Sequence, residues 1–132
     1  MTTLPKKILA RQKEITNDFL KIVDQNLADV LSGNSENIYE IRDVAELMHI
    51  HPRHLSNTIK LVTGNSPCSF VEDKILDIAK QHLEDNKISI AEIAKMLTYD
   101  PSNFTKFFKR FAGMTPKQYR EAHLEKSETV TI

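Results

Sequence analysis

The chain has 132 residues, 40% of them apolar and 27% charged, with 18 basic side chains balanced by 18 acidic ones. That length holds one or two small domains with a modest core; no apolar run approaches the ~20 residues of a membrane span, and the opening MTTLPKKILARQKE lacks the uninterrupted apolar stretch of a secretory signal. One cysteine excludes an internal disulfide and points to the cytoplasm, while zero net charge, taken alone, argues against nucleic acid.

Residues 1–16 mix Lys6, Lys7, Arg11 and Lys13 with Leu4, Ile8 and Ile15 and read as a helical extension from about Pro5, continuous with the segment after it. Over 17–31, Phe19, Ile22, Val23, Leu27, Val30 and Leu31 make an amphipathic stripe. It is read as a scaffold helix packed on the next elements, with self-association through 17–31 as the sharper alternative. SGNSEN (32–37) is a loop by composition.

The first helix of a pair is expected within 38–48, a turn at His49 and Ile50, and a second helix over 52–62. Leu55, Ile59 and Val62 then face the core, and Arg53, Ser56, Asn57 and Lys60 face outward. The run His49, His51, His54 suggests no metal, because three imidazoles across a turn and a helix start seldom converge and no nearby Cys completes a zinc spacing. Phosphate or base contact suits these side chains better.

A linking helix is expected over 67–83, with Phe70, Val71, Ile75, Ile78, Ala79 and Leu83 on its apolar side; at ~1.5 Å per residue it is roughly 25 Å long. EDNK (84–87) ends it. Cys68, directly after Pro67, reads as a small helix-entry residue with no catalytic partner in view.

In the next helix Ser89 and Glu92 form a capping-box pair ahead of Ile90, Ile93, Ala94 and Leu97. Thr98-Tyr99 breaks it. Asp100 caps a further helix whose first position suits Pro101. Phe104, Phe107, Phe108 and Phe111 make that helix broadly apolar on one side, while Ser102, Asn103, Thr105, Lys106, Lys109 and Arg110 fill the other. After Pro116 a last helix carries Tyr119 and Arg120, and 125–132 reads as a frayed tail. The organisation expected is thus an extension (1–16), a first helix-turn-helix (17–66), a linking helix (67–83), a second helix-turn-helix (84–124) and the tail.

The two helix pairs are copies. Shifted by 49 residues without a gap, Ala45 falls on Ala94, Pro52 on Pro101, Lys60 on Lys109, Gly64 on Gly113 and Pro67 on Pro116. Each second helix stops at Gly-x-Ser/Thr-Pro, where Gly suits a left-handed cap and Pro cannot continue the helix. Such a pair suits a reader that presents one helix to each of two successive turns of a duplex. Charge distribution agrees: from 88 to 132 there are seven bases against five acids, and Lys106, Lys109, Arg110, Lys117 and Arg120 run without an acid between them.

SIAEIAKML, PSNFTKFFKRFAGMTPKQYR and the upstream VAELMHIHPRHLSNTIKLVTGNSP together resemble the DNA-binding domain of AraC/XylS-type transcription regulators over about 38–120. The resemblance implies an all-α, homeodomain-like architecture of seven helices: two helix-turn-helix subdomains, a rigid bridge and recognition helices in adjacent major grooves of double-stranded DNA. Carried over by position, it implies base contacts from Arg53, Ser56, Asn57, Ser102, Asn103, Thr105 and Lys106. Phosphate would be held by His51, Lys60, Lys109 and Arg110, and by the helix N-termini near His51 and Asp100. Thr98 stands where the family usually has Gly, and Ile75 where Arg is common.

These readings make the chain a sequence-specific regulator that sits on DNA as a monomer, with RNA polymerase as a further candidate partner and no cofactor or metal. It is either a stand-alone regulator or the DNA-binding end of a larger one. A helical protein-interaction module is the alternative, motivated by the neutral charge and the 17–31 stripe. An enzyme is not expected: no Ser/His/Asp or Cys/His set appears, and three Gly leave little for a nucleotide cradle.

Overall fold

A computed structural model describes the backbone of residues 6–130 and the side chains of 8–124. The described residues form seven α-helices and no strand: α1 (Lys6–Ser32), α2 (Ile41–Leu47), α3 (Pro52–Thr63), α4 (Pro67–Asp85), α5 (Ile90–Met96), α6 (Pro101–Ala112) and α7 (Pro116–Val130). The chain divides into two compact units, Met1–Val71 and Glu72–Ile132.

In the first unit α1 packs on α2 and α3. Ile15, Phe19, Val23, Leu27 and Val30 recur at helical spacing along α1 and are all buried, as are Val44 and Ala45 of α2 and Leu55 and Ile59 of α3. Each such side chain contributes roughly 1.5–3 kcal/mol on burial, so the 17–31 stripe is spent inside the chain. The structure packs most of that stripe against α2 and α3; of its six side chains, Ile22 and Leu31 remain half-buried. Extension and scaffold are one continuous helix, its expected start at Pro5 lying outside the described residues.

The loop after α1 is pinned by a buried polar side chain. Asn26, 4% exposed, donates from Nδ2 to the Asn37 carbonyl at 3.1 Å and accepts the Tyr39 N–H at 2.7 Å. This pairing matters because a buried amide left unpaired costs about 1–3 kcal/mol. Within the span 38–48 the helix starts at Ile41: the Glu40 N–H donates to the Asp43 carboxylate at 2.9 Å, closing a cap at the helix start.

The 49-residue repeat holds down to individual hydrogen bonds. After α2, His49 is left-handed (φ 56°); its N–H reaches the Glu46 carbonyl at 3.1 Å and the Ile50 N–H reaches that of Ala45 at 3.0 Å. After α5, Thr98 is left-handed (φ 65°), with Thr98 N–H on Lys95 at 3.0 Å and Tyr99 N–H on Ala94 at 2.8 Å. Both turns are Schellman closures. The recognition-helix positions also end alike, at Gly64 and Gly113, both with φ 81°. In the stop motif the Ser/Thr starts the next helix as well: Ser66 Oγ accepts the Ser69 N–H at 3.2 Å, and Thr115 Oγ1 that of Gln118 at 3.2 Å.

The second unit buries Ile75, Ala79 and Leu83 of α4, Ile93, Ala94 and Leu97 around α5, and Phe104 and Phe108 of α6. Phe108 meets the Tyr119 ring edge-on at 5.4 Å. Ile75 needs no charged partner there, since it lies in this core at 3% exposure. The α4 helix runs to Asp85, two residues past 83, and ends within the EDNK run at Asn86, left-handed at φ 52°. Arg120, the last cation of the acid-free run, does not face outward with the others. It turns inward, with Nε on the Leu83 carbonyl (3.1 Å) and one terminal nitrogen on those of His82 (3.2 Å) and Ile88 (2.7 Å). The α7 helix runs on to Val130, into the expected tail; the side chains from 125 and residues 131–132 lie outside the described set.

Candidate nucleic-acid interface

The outward faces of α3 and α6 follow from a 3.6-residue period imposed on matched sequences. In α3 the core takes Leu55, Thr58 and Ile59, which leaves Arg53, Asn57 and Lys60 exposed on the opposite side with Ser56 half-buried at its edge. In α6 the core takes Phe104 and Phe108, leaving Ser102, Asn103, Lys106, Lys109 and Arg110 exposed and Thr105 half-buried. Within each unit the structure brings the expected base-reading and phosphate-holding residues onto one helix face. Positions pair across the repeat: Arg53 with Ser102, Ser56 with Thr105, Asn57 with Lys106, and Lys60 with Lys109.

Charge on these faces is uncompensated. Among the described residues no carboxylate lies within ion-pair distance of Arg53, Lys60, Lys106, Lys109 or Arg110. The Arg110 guanidinium rests 5.2 Å from the Phe111 ring centre, a contact that leaves its charge outward. Thr105 spends its hydroxyl proton on the Pro101 carbonyl at 3.0 Å, so towards a ligand it offers an acceptor and a methyl group.

The helix starts differ. Asp100 accepts the N–H groups of both Ser102 (3.1 Å) and Asn103 (3.4 Å) through one carboxylate oxygen. That carboxylate takes the N–H groups that the helix start would otherwise turn to an anion. At α3 the same position is His51, exposed, whose Nδ1 accepts the Arg53 N–H at 3.1 Å. No carboxylate stands at this cap to set against the positive end of the α3 helix.

One of the three histidines read above as suited to phosphate or base contact falls on a site position of the second copy. His54 occupies in α3 the place of Asn103 in α6 and is exposed. Leu61 is 59% exposed where α6 carries Arg110, so the far end of α3 offers no matching cation.

Around the turn of the second unit, Tyr99 stacks on Phe107 at 5.3 Å with a 22° interplanar angle and Phe107 leans on Phe111 at 5.1 Å. Burial raises the Tyr99 phenol above its ordinary range, and the charge of Glu72 raises it further. These rings brace α6 from behind the polar face.

A family profile described as "Helix-turn-helix domain" matches residues 44–122. The chain is 33% identical over 81 residues to the HTH-type transcriptional regulator YobQ of Bacillus subtilis (strain 168), covering 61% of this chain and 34% of that protein. It is 25% identical over 135 residues to the arabinose operon regulatory protein of Escherichia coli (strain K12), covering 98% of this chain and 46% of that protein. The chain thus spans less than half the length of these relatives. Its fold is that of the DNA-binding domain of the global transcriptional factor AdpA, solved in complex with a target DNA, with a TM-score of 0.69 at 20% identity over 83% of this chain and 95% of that one. With the matched profile covering more than half its residues, the chain belongs to the AraC-type helix-turn-helix family of DNA-binding transcription regulators.

Proposed function

We propose that this chain binds double-stranded DNA with sequence preference and regulates transcription, α3 and α6 entering successive major grooves of one duplex. The observation that carries the reading is the repetition, hydrogen bond for hydrogen bond, of a turn followed by a helix whose outer face is polar, cationic and unpaired. One binding unit made twice in one polypeptide suits a site with two half-sites in tandem. The DNA complex of AdpA, a protein of the same fold, supports the same use.

In this reading Arg53, Ser56 and Asn57 meet base edges in one groove, and Ser102, Asn103, Thr105 and Lys106 in the next. Arg53 and Lys106 suit guanine, Asn57 and Asn103 adenine, each good bidentate contact being worth about 1–3 kcal/mol of discrimination. His51, Lys60, Lys109 and Arg110 hold phosphates and set the register. The chain acts on DNA as a monomer in the cytoplasm, with RNA polymerase as the partner beside it.

Selection from a random duplex library, followed by titration of the winner at two salt concentrations, tests this. The expected outcome is a consensus with two separated blocks and an affinity that falls steeply with salt. No consensus, or an affinity indifferent to salt, would overturn it.

A further inference from the structure

Of the large apolar side chains that the described residues leave exposed, Leu61 is the most open to water, at 59%. It stands in the last turn of α3, four residues after Asn57 and seven after His54, so helical geometry puts the three on one stripe. The unit takes Leu55, Thr58 and Ile59 into its core from the other side of the helix, and core packing gives Leu61 little use. In the second copy the 49-residue register places Arg110 at this position, on one stripe with Asn103 and Lys106. A charged position of one recognition helix is thus apolar in the other.

We propose that Leu61 is a specificity-determining residue that reads the C5 methyl group of a thymine in the major groove entered by α3. The inference rests on the DNA-binding reading above and adds to it a contact of a different chemistry. From Arg53 to Leu61 the helix advances about 12 Å, comparable with the ~12 Å width of the major groove. A helix that lies in that groove with Arg53 and Asn57 at base edges therefore carries Leu61 in with it.

An isobutyl group neither donates nor accepts a hydrogen bond. Of the groups that base pairs show in the major groove, the thymine methyl is the apolar one, and contact between the two removes both from water. Cytosine in the same place presents its N4 amino donor, which Leu61 would shut off from water without a partner. The acceptors of a purine edge meet the same penalty. Arg110, at the matching position of α6, has no such bias, so the two helices do different work at this step of the repeat.

The test titrates the whole chain on the duplex selected above, with each thymine replaced in turn by uracil, which removes the methyl group and leaves every hydrogen-bonding group in place. The wild type is expected to lose about fourfold in affinity at one thymine, the worth of one buried methyl group. Leu61→Ala should bind the thymine and uracil duplexes equally at that position, and, because Leu61 is exposed, should melt with the wild type. Cytosine there should weaken the wild type further, and 5-methylcytosine should recover part of the loss. Leu61→Arg, which copies α6, should tighten binding to matched and scrambled duplexes alike and lose the thymine preference. A selected duplex with no preferred thymine, a wild type indifferent to every uracil, or a uracil penalty undiminished in Leu61→Ala would each overturn the proposal. So would a Leu61→Ala protein that weakens by one factor on matched and scrambled duplexes. A wild type that binds no duplex would instead overturn the DNA-binding reading itself.

Discussion

The guanidinium of Arg120 lies 2.7 Å from the carbonyl oxygen of Ile88 while also reaching the last carbonyls of α4. One side chain of α7 thereby satisfies helix-end acceptors that would otherwise turn to water, and it ties the start of the second helix-turn-helix to the helices on either side. Hydrogen bonds from a charged donor contribute about 1.5–3 kcal/mol each, less when several share one side chain. Arg120→Ala is therefore expected to destabilise the second unit by about 2–4 kcal/mol. Arg120→Lys should recover only part, since an ammonium cannot reproduce the planar fork. Urea denaturation followed by amide exchange in the second unit checks both, and an Ala variant as stable as the wild type would remove Arg120 from the framework.

Thr98 carries strain that His49 largely avoids. Both close a Schellman turn with positive φ, 65° and 56°, but a β-branched residue is a steric outlier there, whereas His, like Asn and Asp, enters that region more readily. Relief of the left-handed penalty, about 1–2 kcal/mol, is partly offset by the freedom Gly adds to the unfolded chain, about 0.4–1 kcal/mol. Thr98→Gly should thus stabilise the protein by roughly 0.5–1 kcal/mol, and His49→Gly by less. Paired thermal melts test the ordering; a destabilised Thr98→Gly would contradict it.

The features legible in the sequence are local and periodic. The helix caps at Ser89 and Asp100, the stops at Gly64 and Gly113 and the apolar stripes of α1, α3 and α6 each express a preference within four residues of chain, and the repeat states most of them twice. The features that sequence conceals are long-range or context-dependent. Arg120 resembles one more phosphate cation because its acceptors lie 32 to 38 residues away. Nothing near Asn26 in the chain marks it off from the surface polar residues of α1, although it is buried and holds the next loop. Ser66 and Thr115 look like parts of a stop, yet their hydroxyls start the following helix. For the interface itself, outward placement of the candidate residues is written in the periodicity. That one Asp100 oxygen takes both the Ser102 and the Asn103 N–H is not, because it depends on how the carboxylate is turned.

The phenol of Tyr119 donates to the Glu84 carboxylate at 2.9 Å. Burial first, then this hydrogen bond and the Glu84 charge, push its pKa up to about 12. A phenol whose ionisation is raised on folding favours the neutral form in the folded state. Its contribution is therefore complete below the ordinary phenol range near pH 10 and disappears as pH rises through about 12. Tyr119→Phe should cost about 0.5–1.5 kcal/mol, and the cost should be the same at pH 6 and pH 9. A penalty that changes between those two values would rule out the phenol–Glu84 hydrogen bond as its source.

Lys109 and Asn57 should fail in different ways if the proposed division of roles holds. Lys109 is an exposed, unpaired cation in the last turn of α6, placed to hold a phosphate, and a phosphate contact releases about 0.9 counterion per charge. Lys109→Ala should weaken binding by a similar factor on matched and scrambled duplexes and reduce the slope of log affinity against log salt by about one. Asn57, exposed near the middle of α3, carries no charge and presents both a donor and an acceptor. Asn57→Ala should leave the salt slope unchanged and relax preference at one base pair by about 1–3 kcal/mol. The measurement is a set of titrations of both variants on single-base substitutions of the selected site at about 50 and 200 mM salt. If Lys109→Ala altered base preference, or Asn57→Ala altered the salt slope, the division between phosphate-holding and base-reading residues along these helices would have to be redrawn.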